Sequence, residues 1–219
     1  MRTLISLAAL SITGAAAAQT TIDPNHKFCW SENGGWMNWA DANSGTQGVR
    51  DHGTCFSGYI WGENIGWVNT GNGPGNGIHY ANADSSDYGL NVDASTGNLS
   101  GFAWGENVGW INFGGGALAS PPNPARYDSA AGRFRGFAWG ENLGWINLDD
   151  ANAYVGEGCY ANCDNSTVSP VLNVGDFTCF LQKYAAGDPY ANCDRSDVAP
   201  VLNVGDFTCF LQRYAAGCP

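Results

Sequence analysis

Charged residues are scarce in this chain, and positively charged ones are the scarcest. Nine lysines and arginines stand against 20 aspartates and glutamates, which gives a formal net charge of −11 over 219 residues. An acidic surface repels phosphate groups, which argues against binding to nucleic acid or anionic lipid. The mature sequence also lacks any run of about 20 apolar residues, so it predicts no membrane-spanning helix.

Sequence signatures of familiar catalytic and metal centres are missing as well. The chain has no HExxH, GxSxG or P-loop motif. None of its eight cysteines forms a CxxC pair of the kind that binds zinc. The three histidines, His26, His52 and His79, are scattered along the sequence. These absences predict a protein that is not an enzyme.

Glycine, aromatic residues and cysteine are what the chain contains instead. Its 31 glycines, with 44% hydrophobic and 13% aromatic residues, are typical of a turn-rich β protein that buries a core. Residues 1–18 predict a signal peptide, because Arg2 precedes an apolar stretch and an alanine-rich cleavage site. An even number of cysteines in an exported chain predicts four disulfides and a secreted or cell-surface location.

One phrase of seven residues occurs four times in the first part of the chain. It is WSENGGW at 30–36, WGENIGW at 61–67, WGENVGW at 104–110 and WGENLGW at 139–145, and it holds eight of the nine tryptophans. The distance along the sequence from one copy to the next indicates one small supersecondary unit per repeat. The surrounding alternation predicts three-stranded meanders, and therefore a mainly β repeat domain over 19–150. A propeller, a barrel and a stacked sheet all remain open for the four units.

Three interpretations of this phrase compete. Paired tryptophans can pack across a glycine turn and serve as scaffold. Exposed rings, together with Glu and Asn, can bind carbohydrate. Two nearby carboxylates can hydrolyse a glycoside, but one carboxylate repeated in equivalent turns argues against two unlike catalytic roles. The residues expected to contact a glycan are Trp61, Glu63, Trp67, Trp104, Glu106, Trp110, Trp139, Glu141 and Trp145.

A different repeat fills residues 159–219, after a predicted linker at 151–158. YANCDNSTVSPVLNVGDFTCFLQKYAAGDP at 160–189 recurs as YANCDRSDVAPVLNVGDFTCFLQRYAAGCP at 190–219. Apolar residues at i, i+3, i+4 and i+7 predict one helix per copy. Oxygen-bearing side chains precede each helix at alternating positions, as in a calcium loop. They are Asn162, Asp164, Ser166, Asn173 and Asp176 in the first copy and Asn192, Asp194, Ser196, Asn203 and Asp206 in the second.

This duplicated loop–helix pattern resembles a dockerin domain, and most of all the cysteine-bearing dockerin-like modules that end many exported bacterial proteins. The resemblance implies a small α domain with calcium in its loops and a cohesin-like or cell-surface protein as partner. Each loop is longer than the twelve residues of an EF-hand and opens with Asn instead of Asp. A metal-free turn clamped by a disulfide is therefore the alternative, and Asp197 makes the second loop the better calcium site.

The cysteines fit the same resemblance. It implies that Cys163–Cys179 and Cys193–Cys209 each join a loop to its own helix, and that Cys159–Cys218 closes the module end to end. Cys29–Cys55 is then the remaining pair. The repeat region in turn resembles exported bacterial proteins with tandem GFAWGENxGWINF units, which often stand beside such an anchoring module.

The sequence as a whole predicts a secreted, non-catalytic protein. Its dockerin-like module is expected to anchor it to a partner or to the cell surface, while the β repeats act as a structural or display scaffold. The alternatives are a carbohydrate-binding module that recognises a polysaccharide, a fibre subunit that self-assembles head to tail, and, last, a glycoside hydrolase.

Overall fold

The computed structural model describes residues 20–166 and 168–218, so the predicted signal peptide at 1–18 lies outside the described residues. These residues form fourteen strands and two helices, which confirms the mainly β class. The strands are β1 (Ile22–Ser31), β2 (Gly35–Asn38), β3 (Arg50–Asp51), β4 (Phe56–Ser57), β5 (Tyr59–Gly62), β6 (Gly66–Asn69), β7 (Leu90–Val92), β8 (Leu99–Gly105), β9 (Gly109–Asn112), β10 (Arg126–Asp128), β11 (Arg133–Arg135), β12 (Phe137–Gly140), β13 (Gly144–Asn147) and β14 (Val155–Glu157). The helices are α1 (Val174–Ala186) and α2 (Val204–Ala216).

Eight of these strands close into an antiparallel barrel. The order around the ring is β1, β2, β5, β6, β8, β9, β12 and β13, and β13 pairs back onto β1. Each copy of the tryptophan phrase forms one hairpin of the ring, with its two tryptophans directly opposite each other. Among the arrangements that the sequence left open, the four hairpins form a barrel.

A constant offset between hairpins allows the ring to close. Within the first hairpin, Trp36 pairs with Trp30. The next strand places Trp61 opposite Asn38, which lies two residues after Trp36. The same offset recurs at the other three junctions. Strands must tilt and stagger in this way for a sheet to become a barrel.

The interior of the barrel is filled by side chains. Along each strand, the residues next to the tryptophans point inward, as expected for alternation with a period of two. An eight-stranded barrel has just enough room for such a packed core. Its inward residues, all fully buried, are Cys29, Met37, Ile60, Val68, Ala103, Ile111, Ala138 and Ile146.

Glycine bends two strands where they enter the barrel. Gly101 and Gly136 have φ angles of +88° and +79°. A Cβ at either position would stand 2.1 Å from a backbone carbonyl oxygen, that of Gly89 or of Pro124. Only glycine tolerates both the positive φ and this approach of a second backbone.

The segment predicted to be a linker is part of the sheet. Within residues 151–158, β14 pairs with β1 on one side and with β11 on the other. Val155 is fully buried. The prediction of a linker is therefore wrong. A short polar stretch between two repeats does not indicate that it will pair with strands on both sides.

The C-terminal module packs its two helices through aromatic rings. Phe180 and Phe210 are fully buried and stack with ring centroids 4.2 Å apart. Tyr160 and Tyr190 also stack, and each hydroxyl donates to the other residue's backbone carbonyl. The two copies are thus joined by contacts that follow their internal repetition.

Three of the four predicted disulfides are present within the described residues: Cys159–Cys218, Cys163–Cys179 and Cys193–Cys209. The prediction of Cys29–Cys55 is wrong, since both are buried free thiols. Cys29 points into the barrel, where its Sγ accepts a hydrogen bond from Trp39 Nε1 at 3.2 Å. Cys55 lies outside the barrel strands, in a bridge to Asn91.

The described residues contain no helix that is long and apolar enough to cross a membrane.

Candidate functional site

The two candidate calcium loops have the same internal hydrogen bonds. In the second loop, the Asn192 carboxamide donates to the Ser196 carbonyl at 3.0 Å, and the Ser196 N–H donates to Asp194 Oδ1 at 3.0 Å. The Asp194 N–H donates to Asp206 Oδ1 at 3.3 Å. The first loop repeats these three bonds at 3.0, 2.9 and 3.3 Å. In each loop these bonds connect four of the five predicted ligand residues to one another.

The last two predicted ligands of each loop also begin the helix. Asn203 Oδ1 accepts the Gly205 N–H at 2.7 Å, and Asp206 Oδ2 accepts the Asn203 N–H at 2.8 Å. This is a capping box, which satisfies two backbone donors at the start of α2. Asn173 and Asp176 do the same for α1. In this geometry the Asn203 and Asn173 carboxamide oxygens serve as helix caps.

One carboxamide oxygen in each loop has nothing to bind. Asn162 Oδ1 and Asn192 Oδ1 are buried, and neither has a hydrogen-bond partner among the described residues. A buried acceptor without a partner costs about 1–3 kcal/mol. A cation coordinated by this oxygen would remove that cost, so the residues present fit calcium.

The charges of the second loop fit a cation as well. Burial, and then the neighbouring Asp194 carboxylate, raises the pKa of Asp206 above its ordinary value, against the opposing effect of two backbone N–H donors. Asp194 Oδ2 lies so close to the helix start that a Cβ at Gly205 would stand 2.4 Å from it. The described residues contain no group of three or more His, Cys, Asp or Glu side chains that could hold a metal ion. The first loop offers two carboxylates, Asp164 and Asp176, and the second offers three, Asp194, Asp197 and Asp206, while the other ligand atoms are amide and hydroxyl oxygens.

The tryptophans of the repeated phrase all lie on the outside of the barrel. Six of them, Trp30, Trp36, Trp61, Trp67, Trp110 and Trp139, are 37–51% exposed. In each hairpin the two indole centroids are 4.8–5.0 Å apart, in edge-to-face or tilted contact. A third aromatic ring, two residues before the first tryptophan, contacts the second.

We call this surface the aromatic belt. It has twelve rings, three per hairpin: Phe28, Trp30 and Trp36; Tyr59, Trp61 and Trp67; Phe102, Trp104 and Trp110; Phe137, Trp139 and Trp145. Trp39, the ninth tryptophan, is fully buried in the core.

The asparagines of the phrase hold the turns to one another. The carboxamide of Asn107 donates to the Ile65 carbonyl at 3.2 Å, and that of Asn142 donates to the Val108 carbonyl at 3.1 Å. Asn64 makes the same bond to Gly34 at 3.3 Å. Each bond runs from one hairpin turn to the turn of the preceding hairpin, so these residues are part of the architecture.

The glutamates of the phrase stand at the tips of the turns. Glu63, Glu106 and Glu141 are exposed, one in each hairpin. Glu32, their counterpart in the first copy, accepts the Trp145 N–H at 3.0 Å and helps to close the ring.

A cleft of about 310 Å³ lies beside the second hairpin. Tyr59 of the aromatic belt forms part of its wall, and Gln47, Arg50, Ser57 and Asn72 line the rest. Sequence reasoning missed this cleft, because its walls come from loops whose placement only the closed barrel determines.

Arg195 forms a buried contact between the barrel domain and the C-terminal module. Its Nη2 donates to Asp51 Oδ2, and to Glu157 Oε1 at 3.3 Å. The guanidinium carbon lies 4.3 Å from the centroid of the Tyr127 ring. Although burial alone lowers it, the carboxylates of Asp51 and Glu157 raise the pKa of Arg195 overall. This residue belongs to the second candidate calcium loop, between Asp194 and Ser196.

Comparison with protein families found no family model that matches the chain, and no curated protein and no solved structure matches it either.

Proposed function

We propose that this is an exported, non-catalytic protein in which a dockerin-like module, folded around calcium, anchors a β barrel to a cohesin-like or cell-surface protein. The four hairpin units act as equivalent repeats of a scaffold that displays the outer face of the barrel. In the loops, Asn162, Asp164 and Ser166, and their counterparts Asn192, Asp194 and Ser196, would hold the ion. Bound calcium would neutralise the converging carboxylates and fix each loop against its helix.

The observation that carries this proposal is the unpaired carboxamide oxygen at the first ligand position. It occurs twice, in Asn162 and Asn192, at the same place in two copies of the loop. A purely structural turn has no reason to bury an acceptor without a donor, since that arrangement is destabilising. A metal-ligand role explains both oxygens at once.

Exposed apolar side chains at equivalent positions of the two copies support a protein partner. Val174 and Val204 are each 79% exposed, at the first residue of their helices. Leu181 and Leu211 are exposed on the same helices, about two turns further along. Repeated apolar residues on an otherwise polar surface are typical of an interaction site.

The placement of the glutamates supports a non-catalytic barrel. Glu63, Glu106 and Glu141 occupy the same position in three hairpins, each at its own turn tip. A glycosidase needs two carboxyl groups in unlike surroundings, so that one is protonated while the other is charged. Equivalent exposed positions provide no such difference.

Calcium binding is tested by isothermal titration of the full chain with calcium chloride and by its thermal unfolding with and without calcium. We expect two sites with dissociation constants of about 10⁻⁴–10⁻³ M, as in extracellular modules. Asp164→Asn and Asp194→Asn should each remove one site, whereas Asp84→Asn, in an exposed barrel loop, should remove none. No heat and no shift in unfolding temperature at millimolar calcium would refute the calcium part of the proposal.

Anchoring is tested by interferometry of the full chain against a panel of cohesin domains, in calcium and in chelator. Val174→Asp combined with Val204→Asp should abolish the calcium-dependent signal. Leu118→Asp is the matched control, because Leu118 is an 86% exposed apolar residue of the barrel domain. Equal loss in both variants, or binding that persists in chelator, would contradict the assigned surface.

A further inference from the structure

We infer that the aromatic belt binds a neutral polysaccharide, with its best-formed subsite at the cleft beside Tyr59. This inference concerns the barrel alone and does not depend on the anchoring module. Its starting point is the area of indole surface left in water: six tryptophans at 37–51% exposure on one small barrel. Large exposed apolar patches on a soluble protein mark binding surfaces.

The chemistry of the belt favours a saccharide. Sugar rings present apolar C–H faces that stack on indole and phenol rings, and hydroxyl groups that bond to amides at the edge. The register places such an amide beside a tryptophan at every hairpin junction: Trp30 is paired with Asn147, Trp61 with Asn38, Trp104 with Asn69, and Trp139 with Asn112. Aromatic rings and carboxamides therefore alternate around the outside of the barrel.

The charge near the belt excludes other occupants. Glu63, Glu106 and Glu141 border it at the turn tips, which disfavours an anionic polymer and disfavours a second copy of this acidic chain. Lys27, next to the belt, has its ammonium 2.7 Å from the Asp41 carboxylate and is neutralised there. A neutral ligand is not repelled by these glutamates.

The shape of the belt also selects the ligand. The rings encircle a convex barrel, so a flat protein surface would contact one hairpin and bury well below the roughly 1,200 Å² of a stable interface. A linear chain can follow the curvature from one hairpin to the next. Between the second and third hairpins, Tyr88 extends the belt by contacting Trp110 with ring centroids 5.0 Å apart.

The cleft beside Tyr59 gives this surface one recessed subsite. Gln47 and Asn72 offer hydrogen-bonding groups on its walls, while the buried Ser57 is already bonded to His52 through its Oγ. The cation there, Arg50, donates from Nη2 to the Thr46 carbonyl at 2.6 Å, which holds its guanidinium against the backbone. The volume of about 310 Å³ suits one or two sugar units.

The test is a glycan array followed by titration calorimetry with soluble cellulose, xylan and mannan derivatives, with alginate as the anionic comparison. Tyr59→Ala should weaken binding to the recognised neutral glycan by about tenfold, the loss expected for one aromatic contact of about 1.4 kcal/mol. Phe137→Ala removes the equivalent ring from the fourth hairpin, which does not line this cleft, and should weaken binding by less. Gln47→Ala removes a polar group from the cleft without changing a barrel strand, so it tests the contact apart from the fold. Thermal unfolding of each variant checks that the barrel is intact.

Failure to bind any neutral glycan of the array would overturn this inference. So would equal or stronger binding to alginate, or equal losses for Tyr59→Ala and Phe137→Ala. Concentration-dependent self-association that Tyr59→Ala or Trp67→Ala abolishes would assign the belt to assembly instead.

A second, independent observation concerns the buried Arg195. We propose that docking of Arg195 into the barrel domain favours calcium binding by the second loop over the first. This rests on the proposed calcium loops. Residues 165 and 195 are equivalent, and both have left-handed backbones, with φ of 55° and 58°. Only the second has a long cation there, and its side chain reaches Asp51 across 144 positions of the sequence.

The barrel domain holds the same short segment that would hold calcium. Arg195 lies between the predicted ligands Asp194 and Ser196, and its Nη1 also donates to the Gly53 carbonyl at 3.4 Å. A Cβ at Gly53 would stand 2.9 Å from the Asn192 carbonyl oxygen, which shows how closely the two backbones pack. A loop already ordered by docking loses less entropy when it binds an ion, so the two events favour each other.

Arg195→Asn tests the linkage, because it gives the second loop the residue that the first loop has. In an Asp164→Asn background, where only the second loop binds, this change should lower calcium affinity by about tenfold, a coupling of typical size. In an Asp194→Asn background, where only the first loop binds, it should change nothing. Calcium should also slow hydrogen exchange at residues 51–57 in the wild type, and not in Arg195→Asn.

The two failures can be told apart. If both loops bind calcium and Arg195→Asn leaves the affinity of the second unchanged, the linkage is refuted while the calcium loops stand. If neither loop binds calcium, the proposed function itself fails, and the linkage with it.

Discussion

A methyl group of Leu143 fills the space that a side chain at Gly34 would need. A Cβ on Gly34 would come within 2.6 Å of Leu143 Cδ2 and within 2.9 Å of Ile65 Cγ2. Position 34 is the place in the first copy where the other copies have Ile65, Val108 and Leu143, all buried. Three apolar side chains therefore close the end of a barrel made of four hairpins, and the fourth hairpin must have glycine.

Gly34→Val should destabilise the protein by about 1–3 kcal/mol, since it overfills a packed end of the core. Leu143→Ala alone should cost about 2–5 kcal/mol by leaving a cavity. The double variant should be more stable than the sum of the two losses predicts, because the valine occupies part of that cavity. Urea unfolding of the four proteins measures the coupling, and strictly additive losses would show that the two positions do not share this space.

The first copy of the phrase shows where sequence reasoning succeeds and where it stops. The repetition indicates four equivalent turns, and Gly34 stands out as a departure from them. The sequence alone does not explain why position 34 must be glycine, because the residues that exclude a side chain there come from the second and fourth copies. Barrel closure depends on register between strands far apart in the chain, which local alternation does not determine.

Cys29 could have been placed better from the sequence alone. It precedes Trp30 in the same strand, so alternation puts the two side chains on opposite faces. Because Trp30 packs against Trp36 outside the barrel, the side chain of Cys29 points inside, away from Cys55. Pairing by elimination overlooked that rule, whereas two pairs of the C-terminal module agreed with their duplicated positions and the third joins the cysteines that flank the duplication. The contact of Arg195 with Asp51 had no such signal, because nothing local distinguishes a docked arginine from a solvated one.

The two free cysteines should be inert in the folded protein. Burial raises the pKa of Cys29 and of Cys55 to about 12 in each case. Because the thiolate is the reactive form, neither should react with a thiol reagent at pH 8. Unfolding in guanidinium without reductant should release two reactive thiols per chain. Zero thiols after unfolding would instead reveal a Cys29–Cys55 bond.

Stability should fall on mild acidification because of His52. Burial, and then the positive charge of Arg50, lowers its pKa from 6.5 to about 4. The neutral ring is held by Ser57, whose Oγ lies 2.7 Å from Nε2, and the charges of Asp188 and Lys183 act on it in opposite directions. Above pH 6.5 the histidine is neutral in both states and costs nothing. As pH falls from 6.5 towards 4, His52 binds a proton in the unfolded chain but stays neutral in the folded protein.

The free energy of unfolding should therefore drop by up to about 3 kcal/mol across that window, beyond any effect of the carboxylates. Urea unfolding at pH 7, 5.5 and 4.5 measures the slope. His52→Gln keeps a hydrogen-bonding side chain that does not titrate in this window, so its slope should be shallower. Identical slopes for His52→Gln and the wild type would contradict the assignment.

The contribution of the disulfide that closes the C-terminal module should depend on the ion pair beside it. Cys159–Cys218 joins residues 59 apart, and Cys163–Cys179 joins residues 16 apart. Loop-closure entropy alone gives about 4 kcal/mol for the first and about 3 kcal/mol for the second. The ends that Cys159–Cys218 joins are also held together by an ion pair: Arg213 Nη1 lies 3.5 Å from Glu157 Oε2, next to the start of the module.

Because the bond restrains mainly the unfolded chain, replacing both cysteines of Cys159–Cys218 with serine should cost about 4 kcal/mol while Arg213 holds the folded ends together. In an Arg213→Ala background the same replacement should cost less, because the folded ends then fray and gain entropy that offsets part of the loss. The matched pair is Cys163→Ser with Cys179→Ser, whose cost should not depend on Arg213, since α1 and its own loop hold that bond. Chemical unfolding of these variants decides the matter: a Cys159–Cys218 contribution that is the same with and without Arg213 would mean that the ion pair does not hold the module closed.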